Sequence, residues 1–260
     1  MLFDASAFVG PWPFGDGRGE TLRALTGALA GLGVAGAALS PVRAVLAPEP
    51  MGANRALLAA LARRPGGPFR ALPVPILDPS LPDWRAQLAE CRARGGAAVR
   101  AVKIVPNYHG YALTLPAVGE LAAELARAGL ALCVQVRMVD ERAHHPLMRV
   151  PGVAIAEVAG LAAAQSELPV LVCGAYLAEL AALAPVGNAH AELSFVESGY
   201  LLRDALGRLG ADRLLLGTHA PLHYPAVGVA KLDADELEPA ARERLGAGNF
   251  RRLFGLEGAV

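Results

Sequence analysis

At 260 residues, with 54% hydrophobic side chains and a formal net charge of zero, the chain has room for one large domain. The balanced charge argues against electrostatic capture of nucleic acid, and charge, Gly or Pro interrupts every apolar run before the roughly 18 residues that a membrane span requires. The class left standing is a cytoplasmic protein with a small-molecule substrate, no nucleic-acid or membrane partner, and room for a homo-oligomer.

The opening Met1-Leu2-Phe3-Asp4 has no basic region ahead of an apolar core, so no secretory signal is expected. Cys91, Cys133 and Cys173 are odd in number and widely spaced. They match neither a zinc pattern nor a disulfide framework and read as buried, reduced thiols. Of 24 lysines plus arginines, only Lys103 and Lys231 are lysine, which marks two places where a compact ammonium is wanted.

In chain order, a first strand spans Leu2 to Val9 and ends in the rigid loop Gly10-Pro11-Trp12-Pro13-Phe14-Gly15. A helix over Thr21–Leu32, stopped by Gly33, leads to the strand Val34–Leu39. A second helix runs from Asn54 to Arg64, a third strand from Arg70 to Leu77, and a helix opened by Pro82 reaches Arg94. Val99–Val105 is the fourth strand. Pro116 starts a helix ending near Ala128-Gly129, and Leu130–Met138 is the fifth strand. A helix over Val153–Ser166 precedes the strand Val170–Cys173, a short helix covers Tyr176–Leu183, and His190–Val196 is the seventh strand. Tyr200–Leu209 is helical, Leu214–Leu216 is a strand apolar on both faces, and Asp233–Leu256 reads as helix packing outside. Doubly wound sheets share this alternation, but eight strands with no linker point to an α/β fold of the (β/α)8 TIM-barrel type, a single domain over 1–260.

Polar residues collect after strands four, five and eight, where a parallel barrel binds its ligands. These loops carry Asn107-Tyr108-His109, then Asp140-Glu141-Arg142-Ala143-His144-His145, then His219-Ala220-Pro221-Leu222-His223-Tyr224. Only His190 falls at the start of a strand, on the opposite face. By period-two parity, Lys103 on strand four and Gln135 and Arg137 on strand five face inward. Two readings of them stay open: an anion site for a substrate carboxylate, formed by Arg137 and Lys103 with Arg142 nearby, or a structural ion pair with Asp4 or Glu197.

The element order, the segment Phe3-Asp4-Ala5-Ser6-Ala7-Phe8, the strand Val102-Lys103-Ile104-Val105-Pro106 and the closing Leu216-Gly217-Thr218-His219-Ala220-Pro221 resemble the amidohydrolase superfamily, in its amidohydrolase-related branch of metal-dependent TIM-barrel hydrolases. The resemblance implies Asp-x-His-x-His on strand one, histidines on strands five and six, and an Asp after strand eight. Here those places hold Ser6 and Phe8, Gln135, Cys173-Gly174 and His219. The resemblance therefore implies a hydrolase whose usual metal shell is missing, and no metal or other cofactor is expected. A divalent ion rebuilt from His109, His145 and His219 is the variant.

On this reading the substrate is a small carboxylate-bearing lactone, ester or amide. His219 is the general base, Lys103, Arg137 or His145 holds the carboxylate or an oxyanion, and His109 and Tyr108 serve as acid. Gln135, Asn107, Arg142 and Tyr224 complete the substrate-binding set. The alternative is a catalytically silent barrel that binds a small acid or a protein partner.

Overall fold

The structure, a computed structural model, describes residues 1–14, 21–64, 67–144, 147 and 149–256. Among them eight strands appear: β1 (Leu2–Val9), β2 (Val34–Pro41), β3 (Arg70–Pro73), β4 (Ala101–Ile104), β5 (Ala131–Gln135), β6 (Val170–Cys173), β7 (Ala189–Glu192) and β8 (Leu214–Leu215). The helices are α1 (Leu22–Gly31), α2 (Met51–Ala62), α3 (Trp84–Gly95), α4 (Pro106–His109), α5 (Pro116–Arg127), α6 (Ile155–Ala164), α7 (Leu180–Leu183), α8 (Leu201–Leu209), α9 (Pro225–Ala230), α10 (Pro239–Glu243) and α11 (Asn249–Leu253).

Strand pairing is parallel, in the orders β1-β2-β3 and β4-β5-β6-β7-β8. Backbone hydrogen bonds close both seams. Between β3 and β4, Lys103 N–H donates to Pro75 O at 2.8 Å and Leu77 N–H to Lys103 O at 2.9 Å. Between β8 and β1, Ala5 N–H donates to Leu216 O and His219 N–H to Ser6 O, each at 2.8 Å. The expected α/β TIM barrel is thus the fold observed. The strand expected over Arg70–Leu77 ends at Pro73, since Pro73 and Pro75 have no N–H to give to a ladder.

Thr21 caps α1, its Oγ1 accepting from Ala24 N–H at 3.1 Å, and Leu25 and Leu29 turn the helix onto the sheet. Helix α2 begins at Met51 rather than Asn54. Asn54 is instead buried, and its amide accepts from Ile76 N–H at 3.0 Å and donates to Ile76 O at 2.7 Å. It replaces the ladder partner that β3 loses to its prolines.

The strands sort their residues by parity as expected. Val102, Ile104, Leu132, Val134, Val170 and Val172 face outward into the layer beneath the helices, whereas Ala101, Cys133, Leu171, Cys173 and Leu215 face the barrel interior. The three cysteines are buried free thiols.

The C-terminal tail departs from its expected course. It breaks into α10, a π-helical stretch (Arg244–Gly248) and α11, and Phe250, Leu253, Phe254 and Leu256 join the barrel-interior cluster instead of packing outside. Phe250 stacks on Phe3 with ring centroids 4.9 Å apart. The tail thus packs against Phe3, Ala101 and Ala131, near the starts of their strands. No described helix is long and apolar enough to cross a membrane.

Candidate functional site

The mouth lies at the C-terminal ends of the strands. A register shift between Asp4 and Ala7 in β1 brings Ser6 toward β4. Lys103, 1% exposed, donates from Nζ to Ser6 Oγ at 3.2 Å and to Gln135 Oε1 at 2.9 Å, and the ammonium lies 4.3 Å from the centre of the Phe8 ring. Every one of these partners is neutral, and no carboxylate pairs with Lys103 among the described residues. Gln135 is held in turn by donating from Nε2 to Arg137 O at 2.7 Å.

Arg137 is differently placed. Its guanidinium forms a fork with Glu179, both N–H···O distances being 2.7 Å, donates to Gly174 O, and lies over Tyr176 at 3.8 Å from the ring centre. Of the two readings, the ion pair is the one observed, with Glu179 as partner rather than Asp4 or Glu197. Arg142 is exposed and pairs with Asp140 at 2.8 Å and with Glu197 at 3.0 Å.

His219 follows β8 with φ of 56°, a left-handed conformation rarely adopted outside glycine. Its side chain is fully buried, and Nε2 donates to Met138 O at 2.8 Å. Nδ1 therefore carries the lone pair, and it has no hydrogen-bond partner. Phe8, Phe195 and His223 surround the ring with centroids 5.2, 5.1 and 4.9 Å away. Burial drives the His219 pKa well below the ordinary histidine value, and the positive charges of His223 and Lys103 add to the effect. Burial lowers that of His223 too, with help from Lys231.

The remaining expected site residues are more scattered. Asn107 donates from Nδ2 to Val136 O at 3.1 Å and Pro151 O at 3.0 Å, stapling two loops. Tyr108 packs edge-on against Trp12, and burial pushes its phenol up to about 12. His109 turns toward the segments after β2 and β3, with Nε2 3.0 Å from Ala44 O and Nδ1 3.9 Å from Asp78 Oδ2. Tyr224 is 55% exposed on the rim. His145 lies outside the described residues. Lys103, Gln135 and His219 thus share the mouth, while His109 and Arg142 point elsewhere.

One buried acid, Glu192, was missed at the sequence level, and Asp4 was weighed only as an ion-pair partner. Glu192 accepts from Gly174 N–H and Ser194 N–H, both at 2.6 Å, and from Ser194 Oγ at 2.7 Å. A methyl on Gly217 would sit 2.1 Å from its Oε2, so Gly217 makes room for this carboxylate. Its position two residues after His190, on the inward parity of β7, was the available signal. Asp4 accepts from Ser6 N–H, Thr218 N–H and the Thr218 hydroxyl. Burial raises its pKa to about 6 despite those hydrogen bonds.

His190 sits on the opposite face, as expected, and burial lowers its pKa to about 4. The unfolded chain takes up the proton first as pH falls, so this residue's contribution to stability is present above about pH 6.5 and is lost on acidification toward pH 4. We expect the stability difference between wild type and His190→Gln to change by up to about 3 kcal/mol across that window, measured by urea unfolding. A difference that does not vary with pH would show that His190 is not buried as a neutral group.

Among solved structures, the chain is similar to 2,6-dihydroxybenzoate decarboxylase from Rhizobium, at 20% identity with 99% of this chain and 100% of that chain covered and a TM-score of 0.74. It is similar to 5-carboxyvanillate decarboxylase from Sphingomonas paucimobilis at 16% identity, with 98% of each chain covered and a TM-score of 0.75. A third is dihydroxybenzoic acid decarboxylase from Polaromonas sp. JS666 with bound manganese and 2-nitroresorcinol, at 16% identity, 98% and 97% coverage and a TM-score of 0.73.

These structures correct the expectation that no metal cofactor takes part, since the Polaromonas protein and a 5-carboxyvanillate decarboxylase from Novosphingobium aromaticivorans both hold manganese. They are decarboxylases by name, so they do not bear on whether this chain is a hydrolase. In this chain the residues where the resemblance implies metal ligands do not fit such an ion. Lys103 occupies the space between Ser6, Gln135 and Phe8 with a positive charge, and both oxygens of Asp4 are already engaged. Among the described residues no three His, Cys, Asp or Glu side chains gather to hold a metal. The expected set His109, His145 and His219 is not assembled there, as His109 turns away and His145 lies outside the described residues.

No curated protein matches the sequence. The family model described as Amidohydrolase matches residues 4–256, nearly the whole barrel, and the chain belongs to that amidohydrolase family.

Proposed function

We propose that this barrel binds a small carboxylate-bearing molecule at its C-terminal mouth and hydrolyses it. Lys103 is the counter-charge of the bound acid, Gln135 positions the ammonium, and His219 activates water through its Nδ1 lone pair. The observation that carries the reading is a buried ammonium with only neutral partners. Leaving such a charge uncompensated costs several kcal/mol, which an incoming carboxylate offsets. Phe8 and Phe195 beside His219 favour a flat, apolar body on the acid. The aromatic acids in the names of the similar structures support the same substrate class.

A second reading, a silent barrel that only binds the acid, is favoured by Ser6, Phe8 and Gln135 standing where the resemblance implies histidines. One experiment separates the two. Aromatic carboxylates, and their analogues bearing an ester, amide or lactone, are screened for binding by calorimetry and for product by mass spectrometry. We expect binding and turnover in wild type, with turnover lost and binding kept in His219→Ala. Binding without turnover in wild type selects the silent barrel, and absence of binding removes both readings.

A further inference from the structure

Lys231, the second of the two lysines, takes no part in the proposed chemistry, yet its side chain is buried. Its Nζ donates to the carbonyls of two adjacent residues, Leu193 O at 2.7 Å and Ser194 O at 2.6 Å. Elsewhere this chain ties loops together with arginine, as at Arg213, whose guanidinium reaches the carbonyls of Leu183, Ala184, Val186 and Leu209. Two oxygens within 2.7 Å of a single nitrogen suit a compact ammonium better than a planar fork. Burial pulls the Lys231 pKa below the ordinary lysine value, which marks a charge held in place at a cost.

Those two carbonyls belong to the turn that carries Phe195. Leu193 O also accepts from Val196 N–H at 3.1 Å, and Glu192 holds the turn by accepting from Ser194 N–H and Ser194 Oγ. The turn presents the Phe195 ring to His219 and His223, with centroids 5.1 and 4.6 Å away. Phe8 and Phe195 both stand edge-on to His219, each with an interplanar angle of 78°. Lys231 is itself fixed from the His219 side, because it follows α9, and a methyl on Gly228 of that helix would sit 2.8 Å from Thr218 Cα. The ammonium thus links the segment after β8 to the turn after β7.

We infer that Lys231 is a positioning residue that sets the Phe195 ring against His219 and so makes the mouth select flat acids over puckered ones. The selectivity rests on the acid-binding reading above, whereas the placement of the ring does not. Without the ammonium, Leu193 O and Ser194 O lose their shared donor, and the turn retains its hydrogen bonds to Glu192 and within itself. The Phe195 ring then moves away from the two imidazoles, and its contact with a planar body is weakened.

Lys231→Met and Phe195→Leu are compared with wild type in two measurements. The first is nuclear magnetic resonance of isotope-labelled histidine in acid-free protein, where the ring current of Phe195 shifts the imidazole signals. We expect the His219 and His223 signals of Lys231→Met to move toward their Phe195→Leu positions while those of His190 stay. A lysine that only stabilised the fold would leave all of them in place in the folded variant. The second is calorimetry with acetate, benzoate and cyclohexanecarboxylate. Benzoate is expected to lose about fivefold against cyclohexanecarboxylate in both variants, the scale of one aromatic contact, with acetate affinity unchanged. Unmoved signals in folded Lys231→Met would overturn the placement, and moved signals with an unchanged preference would overturn the selectivity. If wild type bound none of the three acids, the proposed function would fall with the selectivity, while moved signals would still support the placement of Phe195.

Discussion

Replacing Lys103 by methionine is expected to weaken binding of small carboxylic acids by at least about tenfold while leaving the melting temperature unchanged or higher. A charge-assisted hydrogen bond to a carboxylate contributes about 1.5–3 kcal/mol, which sets the size of the loss in affinity. The stability effect has the opposite sign to that of an ordinary core substitution. Lys103 is 1% exposed and faces Ser6, Gln135 and the Phe8 ring without a counter-ion, so methionine removes a desolvation cost and fills similar space. Titration calorimetry and a thermal melt on the same samples separate the two effects. A large fall in stability with affinity unchanged would make Lys103 a structural residue and end the anion-site reading.

Breaking the Arg137–Glu179 pair gives the reverse pattern. Glu179→Gln is expected to cost about 3 kcal/mol, the lower end of the range for a buried ion pair because a quarter of the Glu179 side chain is exposed. In a domain of this size that corresponds to a fall in melting temperature of roughly 6–12 °C. Acid binding should change little, since both terminal nitrogens of the Arg137 guanidinium are turned toward Glu179 and Gly174 O, with the Tyr176 ring against it. Arg137→Met combined with Glu179→Gln should cost less than the sum of the single changes, because neither then leaves a lone buried charge. Additive costs would show that the two side chains do not interact. A large loss of acid affinity in Glu179→Gln would reopen the assignment of Arg137 to the binding site.

The barrel could be read from local patterns. The face on which Lys103, Gln135 and Arg137 lie follows from a period of two, and a strand has that period whatever packs against it. Parallel strands joined by helices then bring the C-terminal ends to one mouth, which is why His219 and Lys103 were expected together. The partners of those side chains depend on distant chain. Glu179 reaches Arg137 across 42 residues, and Thr218 reaches Asp4 across 214. Nothing within a strand's own sequence indicates that one inward cation will be neutralised and its neighbour left with neutral contacts.

By itself, then, the sequence determined the alternation of elements and the inward faces, because periodicity and turn chemistry act over a few residues, and its motif segments carried the resemblance to the family. Only the tertiary structure decided that the tail joins the barrel-interior cluster, that Asn54 repairs the ladder beside β3, and that Lys103 meets neutral partners where Arg137 meets Glu179. The physical reason is that burial and electrostatic pairing depend on distance in space, which closure of the barrel creates between residues far apart in the chain.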